Sequence, residues 1–404
     1  MADLFDKIAT DQSMQLVRMG KETGVYPYFM PLSETEGTEV VIDGHRLIMI
    51  GSNNYLGLTT HPKVREASIQ AIRTYGTSCT GSRFLNGTLE LHKELERRLA
   101  RFIGKEAAIV FSTGYQSNLG AIMSLMDKDD VAVCDKDIHA SLVDAVRMAG
   151  CQMKRFRHND LADLERVLKE TRDAPKMVIV DGVYSMGGDL AKVPEIAALC
   201  KQHGARFFVD DAHGLGVMGP GGRGTGMHFG AIDQVDLVMG TFSKSFASLG
   251  GVIAGDQQVI DYIQHHARPF IFSASMPPAN AAAVLACLDI LEAEPDYPNR
   301  VLRQAAKVRV ALRDMGYNCG DSVTPVIPVI IGSEMNTVFA WRAFFDYGIY
   351  TNPVLPPGVP PTKSLLRTSY MATHTDQQIE KVIQGFYEVG VRVGLIEEKE
   401  PAKA

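Results

Sequence analysis

The chain reads as a two-lobed α/β protein, with a large, doubly wound, mostly parallel sheet domain and a smaller C-terminal α+β domain. Three observations predict this. From about residue 107 onward, short apolar runs alternate with amphipathic stretches, as parallel strands joined by crossover helices do. At 404 residues the chain is longer than one typical core needs. An alanine-rich helical stretch, Pro278 to Glu294, runs into Pro295, Asp296 and Pro298, a natural break. The chain therefore divides into an N-terminal arm and hairpin (1–50), a large domain (51–293) and a small domain (294–404).

The elements follow in order. Leu4, Phe5, Ile8, Leu16 and Val17 suggest a short amphipathic helix whose polar side carries acids, an arm suited to packing on a partner subunit. Thr38 to Ile50 places two strand-like runs around Asp43-Gly44, a strong hairpin signal. Gly51 to Gly57 leaves as a polar loop. Ala107–Phe111, Val131–Cys134, Met177–Val180, Arg206–Val209, Leu237–Met239 and Val252–Ala254 read as short buried strands. Between them lie helical patterns such as Asp160–Glu170 and Pro194–His203. In the last part Thr324–Ile331 reads as strand and Asn336–Tyr347 as helix. The proline-rich Asn352–Pro361 reads as a stiff loop over a cleft.

Composition excludes several function classes. A net charge of −6 gives no electrostatic case for nucleic acid or an anionic membrane surface. The basic cluster Lys154 to His158 reads as a solvated strand edge. Six scattered cysteines without a C-x-x-C pair argue against a disulfide framework or a zinc site, so no metal is expected and a reducing cytosol is the simplest setting. Asp3, Asp6, Lys7 and Asp11 interrupt any signal-peptide core, and no apolar run approaches the roughly 18 residues that span a bilayer. The expectation is a cytoplasmic protein with at most peripheral contact at the inner membrane.

The chemistry-bearing residues gather at strand ends. In Val235 to Gly251, an alternating run stops at Gly240, and Lys244 follows among Thr241, Ser243, Ser245 and Ser248. A lone lysine at a strand end is usually just solvated, but small hydroxyls and glycines leave this one without an acidic neighbour in sequence. Desolvation there would favour a neutral, nucleophilic amine, as a Schiff-base lysine needs. RFFVDDAH, Arg206 to His213, drives Asp210 and Asp211 to the end of a buried strand, which is costly unless a cation meets them. Alternation does not choose between the two acids. Ser112 to Asn118 joins a strand to a helix and suits an anion such as phosphate, although a plain helix cap has the same look. His139 means little alone. Arg367, in SLLRTSY, would need an anionic partner if it points inward. Gly214 to Gly219 matches the dinucleotide pattern G-x-G-x-x-G, but Pro220, Gly221, Gly222 and Gly224 follow where a helix must open, so the match is rejected.

Together these residues resemble the pyridoxal-phosphate enzymes of aminotransferase-like fold (fold type I), and among them the α-oxoamine synthases. The resemblance runs from about Phe29 to Val393. GSRFLNGT (Gly81–Thr88), GTFSKS (Gly240–Ser245) and ARPFIFSASMPP (Ala267–Pro278) favour the members that use serine, whereas SNNYLGL (Ser52–Leu58) is common to all. The resemblance implies pyridoxal 5′-phosphate as cofactor. By it, Lys244 joins the cofactor aldehyde and serves as base, Asp210 pairs with the ring nitrogen, His213 contacts the phenolic oxygen and His139 stacks on the ring. Gly114, Tyr115, Thr241 and Ser243 would surround the phosphate, with Ser185 also at the cofactor. Ser273 would reach in from a neighbouring subunit, which requires a homodimer with its site at the interface. Asn54, Ser82 and Arg367 would hold the amino-acid substrate. The implied reaction condenses L-serine with a long-chain acyl-CoA, palmitoyl-CoA, releasing CoA and CO2 and giving 3-ketosphinganine, the entry to sphingoid bases. The alternative is a relative joining glycine or alanine to a shorter acyl-CoA. Asp211 stands where many relatives have Glu.

Overall fold

The structure, a computed structural model, describes residues 3–398. Its centre is a seven-stranded sheet in the spatial order Ala107–Phe111, Gly251–Gly255, Leu237–Thr241, Arg206–Asp210, Lys176–Asp181, Val131–Asp135 and Gln152–Phe156. Gly251–Gly255 runs antiparallel to both its neighbours, and every other adjacent pair is parallel. All six expected strands are present, each within two residues of its expected ends. They were legible because helices cover both faces, so nearly every residue is apolar and buried. Each buried Val or Ile side chain there contributes about 1.5–3 kcal/mol.

The seventh strand, Gln152–Phe156, forms the sheet edge and exposes Lys154 and Arg155. The solvated-edge reading fits those two residues. It fails for His158, which is half-buried and bonded to two carboxylates.

At the N-terminus, two helices, Asp6–Thr10 and Gln12–Glu22, stand where one was expected. Leu4, Phe5 and Ile8 are exposed, and the side chain of Leu16 lies outside the described residues. The hairpin forms as expected, Glu39–Ile42 against His45–Met49, turning on Asp43 and Gly44, both at positive φ. Its second strand pairs in parallel with Ile349–Tyr350. Val40, Ile42 and Leu47 therefore share a core with Phe344, Ile379 and Phe386 of the C-terminal helices.

The C-terminal part builds an antiparallel sheet of Val326–Gly332, Ser364–Ser369 and Asn352–Val354. The first three residues of the proline-rich stretch are thus an edge strand, with the loop beginning at Leu355. Arg367 sits in the central strand, opposite Pro328 and Asn352. Helices Tyr297–Asp314, Glu334–Tyr347 and Asp376–Arg392 belong to the same core. Ser333 and Thr375 cap the latter two.

Gly214 to Gly219 opens no dinucleotide-type helix. The loop wraps the Asp211 carboxylate, and a short 3-10 turn, Pro220–Gly222, and a single helical turn, Thr225–His228, follow.

Candidate active site

A cavity of about 300 Å³ opens at the carboxyl ends of the parallel strands, where a doubly wound sheet places its ligands. Its wall includes Lys244, Asp210, His213, His139, Gly114, Tyr115, Thr241 and Ser243. Of the other expected residues, Ser185, Ser273, Asn54, Ser82 and Arg367 stand outside this wall.

Lys244 follows the strand Leu237–Thr241 in a tight loop closed by Ser248 N–H donating to the Phe242 carbonyl at 2.9 Å. Burial lowers its amine from 10.5 to about 8, and the Arg367 charge adds to the fall. Asp210 and Asp181 oppose it from the neighbouring strand ends. About a tenth of the amine is therefore neutral at pH 7, and about half at pH 8.

The structure separates the two acids that alternation left undecided. Asp210 ends its strand facing the cavity, and Asn118 Nδ2 donates to its Oδ2 at 2.7 Å. The Ala212 N–H donates to its other oxygen at 3.0 Å. Asp211 turns the other way, accepting from Thr225 N–H at 2.7 Å and Thr225 Oγ1 at 2.9 Å. Burial nevertheless pushes its carboxyl up to about 7. Any side chain at Gly182, Gly214 or Gly224 would collide with the Asp211–Thr225 pair, so three glycines form its cradle. Asp211 braces the loop, and Asp210 serves the cavity.

Asp181 is the register partner of Asp210 on the adjacent strand. Burial, then the charge of Asp210, drives its carboxyl well above the usual range. Its Oδ1 accepts the His139 N–H at 3.2 Å. His139 caps the helix Ala140–Ala149, its Nδ1 accepting from Ser141 N–H at 3.2 Å, so the ring direction is set by the helix start.

His213 is buried, and that burial drives its imidazole well below its ordinary value, with the Lys244, Arg367 and His139 charges adding. Its Nδ1 lies 2.6 Å from the Tyr55 hydroxyl. Arg367 Nη2 donates to that hydroxyl at 3.4 Å. Arginine can only donate, so the single hydroxyl proton goes to one of two acceptors, Nδ1 at 2.6 Å or Asn53 Oδ1 at 3.3 Å; the shorter contact favours Nδ1, which leaves the neutral ring's own proton on Nε2. Arg367 is 5 % exposed, and its Nε donates to the Ser185 carbonyl at 2.7 Å. Neither partner is an anion, so the buried guanidinium retains capacity for a carboxylate.

At the other end, Thr113 caps the helix Gly114–Leu125, its Oγ1 accepting from Gln116 N–H at 3.1 Å. Thr241 and Ser243 hydroxyls lie 3.1 Å apart beside that helix start. A Cβ on Gly114 would stand 2.7 Å from Thr241 Oγ1, so glycine lets the first turn settle against the strand end. Unspent N–H groups there suit a phosphate. A reactive lysine, an acid for a ring nitrogen, a capping histidine and this anion seat fit pyridoxal phosphate by donor chemistry and by size.

Of the remaining expected residues, all but the Ser82 side chain have other partners within this chain. Ser273 Oγ accepts from Gln116 Nε2 at 3.0 Å. Asn54 Nδ2 donates to Thr59 Oγ1 at 2.8 Å while its Oδ1 is buried without a partner, as is Ser82 Oγ. Ser185 contributes its carbonyl to Arg367.

Sequence reading passed over Asn118, Asp181 and Tyr55. Asn118 had a signal, standing one helical turn after Gly114 on the same face. Asp181 had another, ending the buried run MVIVD as Asp210 ends RFFVD. Tyr55 had none, since it meets His213 only through the fold.

The aminotransferase class I and II model matches residues 45–386. This chain belongs to that family. Within the family, it is 47% identical to a serine palmitoyltransferase of Bacteriovorax stolpii over 91% of this chain and 88% of the relative. It is 38% identical to an 8-amino-7-oxononanoate synthase of Thermoanaerobacter pseudethanolicus, covering 93% and 96%. The solved serine palmitoyltransferase of Sphingomonas wittichii superposes with a TM-score of 0.94 at 38% identity, covering 98% of this chain and all of that one. That of S. paucimobilis, solved with bound PLP and myriocin, gives 0.94 at 36% over the same coverage. The α-oxoamine synthase resemblance and the type I fold are thereby borne out.

Proposed function

We propose that the chain is a pyridoxal-phosphate-dependent serine palmitoyltransferase, condensing L-serine with palmitoyl-CoA to 3-ketosphinganine, CoA and CO2. The observation that carries it is Lys244, buried beside Asp210 at the strand ends with its amine lowered to about 8. The serine palmitoyltransferase relatives support the choice of substrates.

Pyridoxal phosphate, when bound, supplies an aldehyde that captures amines and a ring that withdraws electrons from the adjoining carbon. Lys244 would hold the aldehyde carbon, and Asp210, braced by Asn118, would hold the ring-nitrogen proton. His139 would lie on the ring face, and the His213 Nε2–H would meet the phenolic oxygen. Gly114, Tyr115, Thr241 and Ser243 would seat the phosphate. Arg367 would bind the serine carboxylate and so orient the Cα–H bond. Lys244 Nζ, in its neutral form, would take that proton. Serine thus arrives with its carboxylate fixed and its reacting bond aimed at a base.

A second copy completes the reading. Ser82 bridges to Ala274, which brings exposed Phe84, Leu85 and Phe272 onto neighbouring loops. Covering them with a second subunit would bury a patch ill suited to water and bring that subunit's Ser273 toward the phosphate seat. No helix among the described residues is long and apolar enough to cross a membrane, which fits at most peripheral contact.

The test is direct. Purified protein should carry a yellow absorbance band that borohydride bleaches, with the reduced adduct on Lys244. Given a panel of amino acids and acyl-CoAs, serine with palmitoyl-CoA should lead. Faster turnover with glycine or alanine and a shorter acyl-CoA would instead select the synthase reading.

A further inference from the structure

His158 is a histidine held by two carboxylates that the proposed chemistry leaves unused. It follows the edge strand Gln152–Phe156 and lies between two loops. Its Nδ1 stands 3.0 Å from Asp135 Oδ1 and its Nε2 2.9 Å from Asp189 Oδ2. Asp137 approaches Nδ1 at 3.8 Å, and the Tyr184 ring packs edge-on at 4.4 Å. A neutral imidazole has one donor, and here both ring nitrogens face carboxylate oxygens, so both must carry protons. Asn159 extends the tie, its N–H donating to Asp135 and its Nδ2 to Asp189, each at 2.9 Å. Its φ of 51°, a conformation asparagine tolerates, brings both donors to bear.

Each arm leads to a segment that lines the cavity. Asp135 closes the strand Val131–Asp135, and four residues on comes His139. Asp189 belongs to the turn 182–190, fastened by Tyr184 N–H to the Asp189 carbonyl and Gly188 N–H to the Tyr184 carbonyl. That turn carries Ser185, whose carbonyl fixes Arg367, and Val183, which lines the cavity. One ring therefore ties the support of His139 to the support of Arg367.

We propose that His158 is a positioning residue whose Nδ1 arm sets the cofactor-side histidine and whose Nε2 arm sets the arginine that receives the substrate carboxylate. The inference rests on the reading given under Proposed function. Burial works against protonation of the ring, but the hydrogen bonds to Asp135 and Asp189 outweigh it and push the imidazole up to about 10. The tie therefore stays closed across the physiological range.

The two arms can be cut separately. His158→Gln places an amide nitrogen near the Nε2 position and keeps Asp189. His158→Asn places one near Nδ1 and keeps Asp135. The measurements are the dissociation constant of pyridoxal phosphate, by spectral titration of stripped protein, and KM and kcat for L-serine in the holoenzyme. His158→Gln should weaken pyridoxal phosphate binding about tenfold with the serine KM nearly unchanged. His158→Asn should raise the serine KM about tenfold with cofactor affinity nearly unchanged. Asp135→Asn and Asp189→Asn should reproduce the respective patterns, and they serve if a His158 variant does not fold. Parallel changes in both constants, or none, would overturn the proposal. A wild-type chain that takes up no pyridoxal phosphate would instead overturn the parent reading.

Discussion

Lys244 makes a quantitative prediction about the chain without cofactor. Its amine falls from 10.5 to about 8, chiefly because burial penalises the ammonium. At 1.36 kcal/mol per pKa unit, this amounts to about 3 kcal/mol of destabilisation whenever the lysine is charged in both folded and unfolded chains. The sign follows from proton counting. Between pH 8 and 10.5 the unfolded chain binds more protons than the folded one, so stability rises with pH across that window. Below pH 8 the penalty is complete, and above 10.5 it is gone. Lys244→Met removes the charge while keeping most of the volume, at a packing cost of under about 1.5 kcal/mol. Stripped of pyridoxal phosphate at pH 7, the variant should gain about 2–3 kcal/mol in urea unfolding. An unfolding entropy of about 2.1 cal/mol/K per residue makes that about 2–4 °C in Tm. The gain should fade as the pH is raised toward 10.5. A variant no more stable than wild type at pH 7, or a gain that persists undiminished at high pH, would mean that burial does not set the lysine's state.

Three further outcomes follow from the same geometry. Gly114→Ala forces a Cβ against Thr241 Oγ1, and the 1–3 kcal/mol typical of overpacking should weaken pyridoxal phosphate binding about 5- to 150-fold in a spectral titration. Arg367→Lys loses the planar fork and its bond to Ser185, so the serine KM should rise about 10- to 150-fold while the cofactor band stays in place. Tyr55→Phe removes the hydroxyl that fixes the His213 tautomer. Turnover should fall about tenfold and the cofactor band should shift, whereas an unchanged spectrum would discard the Arg367–Tyr55–His213 relay.

The sheet was legible because its strands are buried on both faces, which leaves an apolar run too short for a helix and bounded by polar turns. The edge strand Gln152–Phe156 escaped a strand assignment of its own because one face meets water and its composition is that of a loop. Part of the cavity wall was legible for a related reason. A polar group at the end of an apolar strand is costly and has to be explained locally, so Lys244, the pair Asp210 and Asp211, and the turn Ser112–Asn118 drew notice from their own neighbours, whereas His139 stood out only through the family resemblance.

What the sequence determined by itself was the layering of the large domain, the strand ends that carry polar groups, and the absence of a dinucleotide helix after Gly219. What only the tertiary structure decided was which acid faces the cavity, and which distant residues meet there. Asp210 and Asp211 are neighbours in one chain, yet Asn118 claims the first and Thr225 the second. Tyr55 and Arg367 lie 312 residues apart and touch above His213. Side-chain direction past a strand end follows no period, because packing against the next element sets it. Contacts of that kind have no local sequence signature, so they appear only once the chain has closed.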